Sequence, residues 1–335
     1  MDLKTLTELR GISGSEKPVR RYILEEVRAL GLSAEIDRMG NVVVVKKGTG
    51  SQPKRVMVSA HMDEVGFIVR SATDEGFLRV SPMGGVDPRV VVSKRVLVGE
   101  EAIPGVIGAK AIHLQKAADR QQVLGYDQLY VDIGAATKEE AESKAPVGAQ
   151  VTFDTEYVPF GDGFVSAKAL DDRVGCYNLF RLLQGTYVND LVAVFATQEE
   201  VGCRGAHGAA FAQAPDAGLI LEGTTCNDLG DTPEVLQVCN AGQGVTVSFM
   251  DNASIANRSL FALAMRLGEE KNIPHQVKRS VSGGNEGGAV QRARGGVPTL
   301  VLSVPCRYIH SPSSVMKLSD VEAQLQLAKA LMDAM

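Results

Sequence analysis

The sequence has no GxSxG nucleophile turn, no GK dipeptide of a phosphate loop, no HExxH helix and no GxGxxG after a strand. The common signatures of serine hydrolases, phosphate-binding loops, single-helix zinc peptidases and dinucleotide folds are therefore missing. Cysteine is scarce too. Cys176, Cys203, Cys226, Cys239 and Cys306 are odd in number and form no CxxC pair, which argues against both a disulfide framework and a thiolate zinc site, and fits a reducing compartment. Neither sign of charge dominates: 35 Lys plus Arg stand against 40 Asp plus Glu, a formal net charge of -5 spread along the chain. Nothing in that balance suggests a nucleic-acid or membrane partner. No stretch approaches the roughly 18 apolar residues that a membrane span needs. The expectation is a soluble, cytoplasmic protein.

What is present is ordinary globular material, 44% hydrophobic and 22% charged over 335 residues, enough for about two domains. Val19, Tyr22, Ile23, Val27 and Leu30 recur at helical spacing between Ser15 and Gly31, and strand patterns follow at 42–45 and 56–60. From about 67 to 161 the pattern is of short apolar runs cut by Gly and Pro, which predicts a small β-rich unit. Alternation of strands and helices then returns: helix 174–183, strands 191–196 and 218–221, helix 260–267, strand 299–304. A last helix is expected to be capped by Ser319, with Glu322 completing a capping box. Alternating units of this kind indicate a largely parallel sheet covered on both faces. The economical parse is an α/β domain in two pieces with a β module between them.

With the usual nucleophiles missing, acids and histidines carry the search. Eight adjacent acidic pairs occur where random placement gives about five, so pairing alone means little. Position is more telling. VMVSA leads to His61 and Asp63, LVAVFA to Glu199 and Glu200, GLIL to Glu222, and TLVLSV to His310. Ligands of parallel α/β sheets collect outside the carboxyl ends of strands, and Asp171, in KALDDRVG, can join from a loop. Oxygen and imidazole donors suit zinc, cobalt or manganese. Asp63, Asp171, Glu199, Glu200 and Glu222 in one cleft would repel one another unless cations relieved them. If Asp171, Glu200 and Glu222 ligate, minus three meets the plus four of two divalent ions, leaving a centre that can hold hydroxide and polarise a carbonyl. Scattered structural acids remain the alternative that spacing alone leaves open.

AHMDEVG at 60–66, KALDDRVGC at 168–176, ATQEEVGCRGA at 196–206 and VPCRYIHSP at 304–312 resemble, in order and spacing, the co-catalytic metallo-aminopeptidases of the glutamyl-aminopeptidase type, which assemble as tetrahedral particles. MGGVDPRV at 83–90, LYVDIGA at 129–135 and SGGNEGGA at 282–289 extend the likeness over nearly the whole chain. The resemblance implies a phosphorylase/hydrolase-like core at 1–66 and 161–335 and an inserted PDZ-like module at 67–160 used in oligomer assembly. It implies two divalent metals, zinc favoured over cobalt or manganese: one held by His61, Asp171 and Glu222, the other by Asp171, Glu200 and His310. Asp63 would fix the His61 tautomer, Glu199 would activate a metal-bridging water as general base, and the Asp171-Asp172 peptide would be cis. Short peptides would be the substrates and a tetrahedral dodecamer built from dimers the assembly. Two departures stand out. An Asp is usual at the Glu222 position, and a Thr-Asp pair where this chain has Asn285-Glu286.

Two other functions compete: a deacylase or other amide hydrolase on the same core, and a catalytically silent peptide-binding assembly. His113, His207 and His275 are expected to be structural, as are Cys203 and Cys306. The glycines of SGGNEGG are expected to serve turns or close packing.

Overall fold

In the strand Arg55–His61, Val56, Val58 and Ala60 join one core cluster while Met57 joins another, the period-two alternation of a strand buried on both faces. The same division recurs in Ala217–Thr225, with Leu219 and Leu221 on the first side and Ile220 on the second. The computed structural model describes residues 1–335, all side chains included except that of Asp119. These strands belong to an eight-stranded sheet. Its centre is four parallel strands in the order Asp190–Ala196, Arg55–His61, Ala217–Thr225, Thr299–Cys306.

The margins depart from a purely parallel sheet. Val42–Lys46 pairs antiparallel with Asp190–Ala196 and is joined to Glu35–Ile36 by a tight turn. On the other side Val245–Ser248 runs antiparallel to Thr299–Cys306 and carries His275–Val277. One face of the sheet is covered by helices Lys17–Ala29, Leu170–Leu183, Arg258–Glu270 and Leu318–Ala334, whose apolar residues fill the larger cluster. The other face takes Arg204–Gln213 and Glu286–Gln291, packed through Ala206, Ala209, Ala210 and Val290. Small residues bring Glu286–Gln291 close to the sheet: a Cβ on Gly218 of the central strand would lie 2.8 Å from Val290.

Between the two pieces of this layer the chain closes a six-stranded antiparallel barrel, Gly66–Ala72, Leu78–Met83, Leu129–Asp132, Ile103–Ala109, Arg95–Val98 and Gln150–Phe153 in spatial order. Closure leaves no free sheet edge, and Phe67, Leu78, Val131 and Phe153 fill the interior. The chain leaves it into Val158–Phe160, which pairs with Phe164–Ala167, and that strand in turn with Ser314–Lys317.

One terminal signal differs from expectation. The last helix begins at Leu318, with Lys317 as a cap that makes no side-chain bond, so Ser319 and Glu322 form no capping box. The extended phase of Ser314–Lys317 runs directly into the helix, and the Leu318 amide, one of the helix's first free donors, donates to the Gly163 carbonyl at 2.9 Å in the turn before Phe164–Ala167. The helices Leu3–Glu8, Arg204–Gln213 and Glu286–Gln291 had no predicted counterpart. Among the described residues no helix is long and apolar enough to cross a membrane.

Candidate active site

The parallel register aligns Ala196 with His61, so Glu199 and Glu200, a few residues past the strand end, arrive beside the imidazole. Alternation puts His61 on the same face as Met57, and Glu222 on the same face as Ile220. Asp171 enters from the start of Leu170–Leu183, where residues 171 and 172 leave helical geometry and their peptide is cis. His310 follows Thr299–Cys306 on a turn in which Tyr308 and His310 both take positive φ, 57° and 55°.

The distances converge. His61 Nε2 lies 3.7 Å from Asp171 Oδ1, 3.6 Å from Glu222 Oε2 and 3.9 Å from Glu199 Oε2. His310 Nε2 lies 3.4 Å from Asp171 Oδ2 and 3.5 Å from Glu200 Oε2. The two oxygens of Asp171 thus face different imidazoles. Donor atoms of His61, Asp171 and Glu222 lie within 4.8 Å of one another, as do those of Asp171, Glu200 and His310. A third such group joins His61 to Glu199 and Glu200.

These carboxylates are held at high energetic cost. Burial pushes the Glu200 carboxyl up to about 8 and raises Glu199 and Glu222 as well, against the opposing pull of the imidazoles. Burial also lowers His310, but Asp171 and Glu200 outweigh it and carry the ring up to about 9. Asp171 goes the other way: burial would raise it, yet the two imidazoles hold it well below the usual carboxylate range. Oε1 of Glu200 and Oε1 of Glu222 are buried with no hydrogen-bond partner. A solvated face would not leave such oxygens bare.

The surroundings fix these groups. Asp63 is fully buried and accepts from Ser13 Oγ at 2.6 Å and from the backbone amides of Glu199 and Glu200 at 3.0 and 3.1 Å. Its carboxylate is 3.6 Å from His61 Nδ1, while its main-chain carbonyl is nearer at 3.0 Å. The partner of the imidazole is therefore the Asp63 backbone, and its carboxylate anchors the 199–200 turn. Cys203 donates its thiol to Glu199 Oε1 at 3.2 Å, and the Gly223 amide donates to Asp171 Oδ1 at 3.1 Å. From the barrel, Gly84 at φ 83° comes so near that a Cβ there would lie 3.1 Å from Glu200 Oε2.

Sequence reasoning brought His61, Asp63, Asp171, Glu199, Glu200, Glu222 and His310 together, and all seven lie here. It missed Ser13, Cys203 and Gly84. It also assigned nothing to Glu286, a fully buried acid that accepts from Ser59 Oγ at 2.5 Å and that burial pushes up to about 8. Ser59 shares a strand face with His61, the one signal that could have placed Glu286 below the site. Asn285 caps the short helix Glu286–Gln291 through the Gly287 amide. Gly288 leaves room for Ala253, which a Cβ would approach to 2.6 Å. His113 and His207 are exposed, and His275 bonds the Ile273 carbonyl.

The profile of the family described as M42 glutamyl aminopeptidase matches residues 40–327. A lysyl aminopeptidase of Pyrococcus furiosus is 32% identical over 339 residues, covering 99% of this chain and 96% of its own. Among solved structures, an aminopeptidase from the archaeon Desulfurococcus kamchatkensis superposes with a TM-score of 0.94 at 32% identity, over 99% of this chain and 94% of that one. The Pyrococcus horikoshii TET1 peptidase, described as able to assemble into a tetrahedron or a large octahedral shell, gives a TM-score of 0.87 at 30% identity, over 99% and 98%.

Proposed function

We propose that this chain, which belongs to the M42 glutamyl aminopeptidase family, hydrolyses the N-terminal peptide bond of short peptides at a centre that holds two divalent metal ions. The observation that carries the reading is the pair of donor triads sharing Asp171, whose two oxygens face His61 and His310 separately. The donor set fits zinc, cobalt or manganese. Two otherwise unpartnered carboxylate oxygens, on Glu200 and Glu222, are what bound cations would satisfy. His61, Asp171 and Glu222 would hold one ion and Asp171, Glu200 and His310 the other. Such ions supply Lewis acidity toward the scissile carbonyl and acidify water.

Glu199 is the acid left outside both triads. Its Oε1 is held by the Cys203 thiol, and its burial raises the carboxyl toward the range useful for proton transfer. It takes a proton from the attacking water as that oxygen bonds the carbonyl carbon, and gives the proton to the amine as the C–N bond breaks. Asp63 positions this base by accepting the amides of residues 199 and 200. In the same reading, residues 1–66 and 161–335 carry the chemistry, while 67–160 is a PDZ-like module serving a homo-oligomer of dimers, as a tetrahedral dodecamer in the cytoplasm. The shell-forming relative supports the assembly.

Glu199→Gln should keep its metal content by elemental analysis yet lose about 10²–10⁴-fold in turnover, the usual worth of a general base. Near-normal turnover on unblocked peptides would remove Glu199 from the mechanism. Preference for N-terminally blocked peptides would transfer the site to a deacylase.

A further inference from the structure

Beside the acid cluster lies a cavity of about 150 Å³. Asp171, Glu199, Glu222 and His310 border it, and Lys278 is the only lysine or arginine in its lining. Lys278 is 94% buried, with 6% of its surface exposed. Its Nζ donates to the Ser282 carbonyl at 3.0 Å, and no carboxylate pairs with it among the described residues. Glu222 and Asp251 act on its charge from a distance. Asp251 is already committed to the amides of Ala253 and Ser254 and to the Asn285 side-chain amide. An ammonium has three donors and prefers water or an anion, so a buried one with a single carbonyl partner is a costly feature to retain. Thr224, Thr225 and Ser303 add hydroxyls to the same lining, and Ile309 is its main apolar member.

We infer that Lys278 is the specificity-determining residue of this cavity and that it selects substrates whose N-terminal residue carries an acidic side chain. The carboxylate of that residue completes the pairing that the fold withholds, while the hydroxyls take its remaining lone pairs. A lysyl or arginyl side chain would set two cations in one buried pocket and is rejected. The volume is that of one side chain, not of a longer peptide segment. Family membership does not decide the point, because the family description names glutamate and a relative is named for lysine. The inference rests on the reading of the neighbouring acids as a peptidase centre, and the test separates the two.

Glutamyl and glutaminyl p-nitroanilides differ in side-chain charge at nearly constant shape and have no C-terminal carboxylate, so a preference between them reports the N-terminal side chain alone. With zinc- or cobalt-supplemented enzyme, the glutamyl substrate should show a kcat/KM at least tenfold higher. In Lys278→Met the ratio should fall to within threefold, and in Lys278→Arg most of it should survive. Calorimetric titration of the same three proteins with L-glutamate and L-glutamine should give the same ordering in Kd. Equal use of both substrates, or a preference untouched by Lys278→Met, overturns the inference while leaving a peptidase in place. If no peptide is cleaved but glutamate still binds through Lys278, the pocket assignment holds and the peptidase reading falls. A C-terminal preference would show instead as glutamine-like behaviour of the nitroanilides and tighter binding of dipeptides than of their amides, which also overturns it.

Discussion

Cys203 shows how a residue with an ordinary structural expectation becomes part of the chemistry once its neighbours are known. Burial and the adjacent Glu199 charge push its thiol well above its usual range, so it is neither nucleophile nor ligand at neutral pH. Kept protonated, it can only donate, and it donates to Glu199 Oε1. That bond restrains the proposed base without neutralising it. Removing it in Cys203→Ala frees the carboxylate, and since a weak donor is worth about 1 kcal/mol, kcat should fall roughly fivefold at unchanged metal content. Cys203→Ser, which keeps a donor, should recover most of the loss. Identical kcat in the alanine variant would reduce the thiol to packing.

At the scale of elements, legibility followed burial pattern. The central strands read clearly because each is a run of Val, Leu, Ile and Ala sunk between two helical layers, and their carboxyl ends deliver six of the seven site residues, Asp171 alone entering from the start of a helix. Arg204–Gln213 and Glu286–Gln291 did not, because their inward faces are Ala and Gly packed at close range, which leaves almost no apolar periodicity. Ser13 and Gly84 lie far from the cluster in sequence and arrive by long-range contact, beyond the reach of any local pattern. The turn carrying His310 is another tertiary product. Arg307 sits at its start, bridges to Val315 by two backbone bonds and pairs with Asp228 through Nε and Nη2, both at 2.7 Å.

The same pair gives the turn a pH window. Burial would raise the Asp228 carboxyl, but the bonds from Arg307, Cys226 and the Ala241 amide hold it at about 2. The unfolded value is near 3.9, so the folded state binds fewer protons between the two. The stabilisation is therefore complete above about pH 4 and is lost as pH falls toward 2. It is on the order of 1 kcal/mol after solvent screening of a partly exposed pair. Urea midpoints of wild type and Asp228→Asn should differ at pH 6, draw together as pH falls below 4, and converge only below about pH 2. A gap that stays constant with pH would assign the effect to packing.

For the whole molecule, the acid cluster makes folding stability and metal occupancy one equilibrium. Asp171, Glu199, Glu200 and Glu222 meet where the sheet, the helix start at Leu170 and a barrel loop at Gly84 converge, so their repulsion loads all of these elements together. Cations that bind only the folded chain stabilise it by mass action, about 2.7 kcal/mol at a hundredfold excess over Kd. Chelated protein should melt several degrees below protein supplied with zinc or cobalt. Glu222→Gln should behave in opposite ways in the two states. Stripped of metal, it removes a carboxyl whose ionisation burial and the neighbouring acids already oppose, and should melt at or above the stripped wild type. Given metal, it lacks a donor and should show a much smaller rise. Differential scanning calorimetry of both proteins, with and without chelator, measures all four values. A full metal-induced rise in the variant would show that Glu222 does not hold the ion, and a stripped variant well below stripped wild type would show that its carboxylate stabilises the fold in its own right.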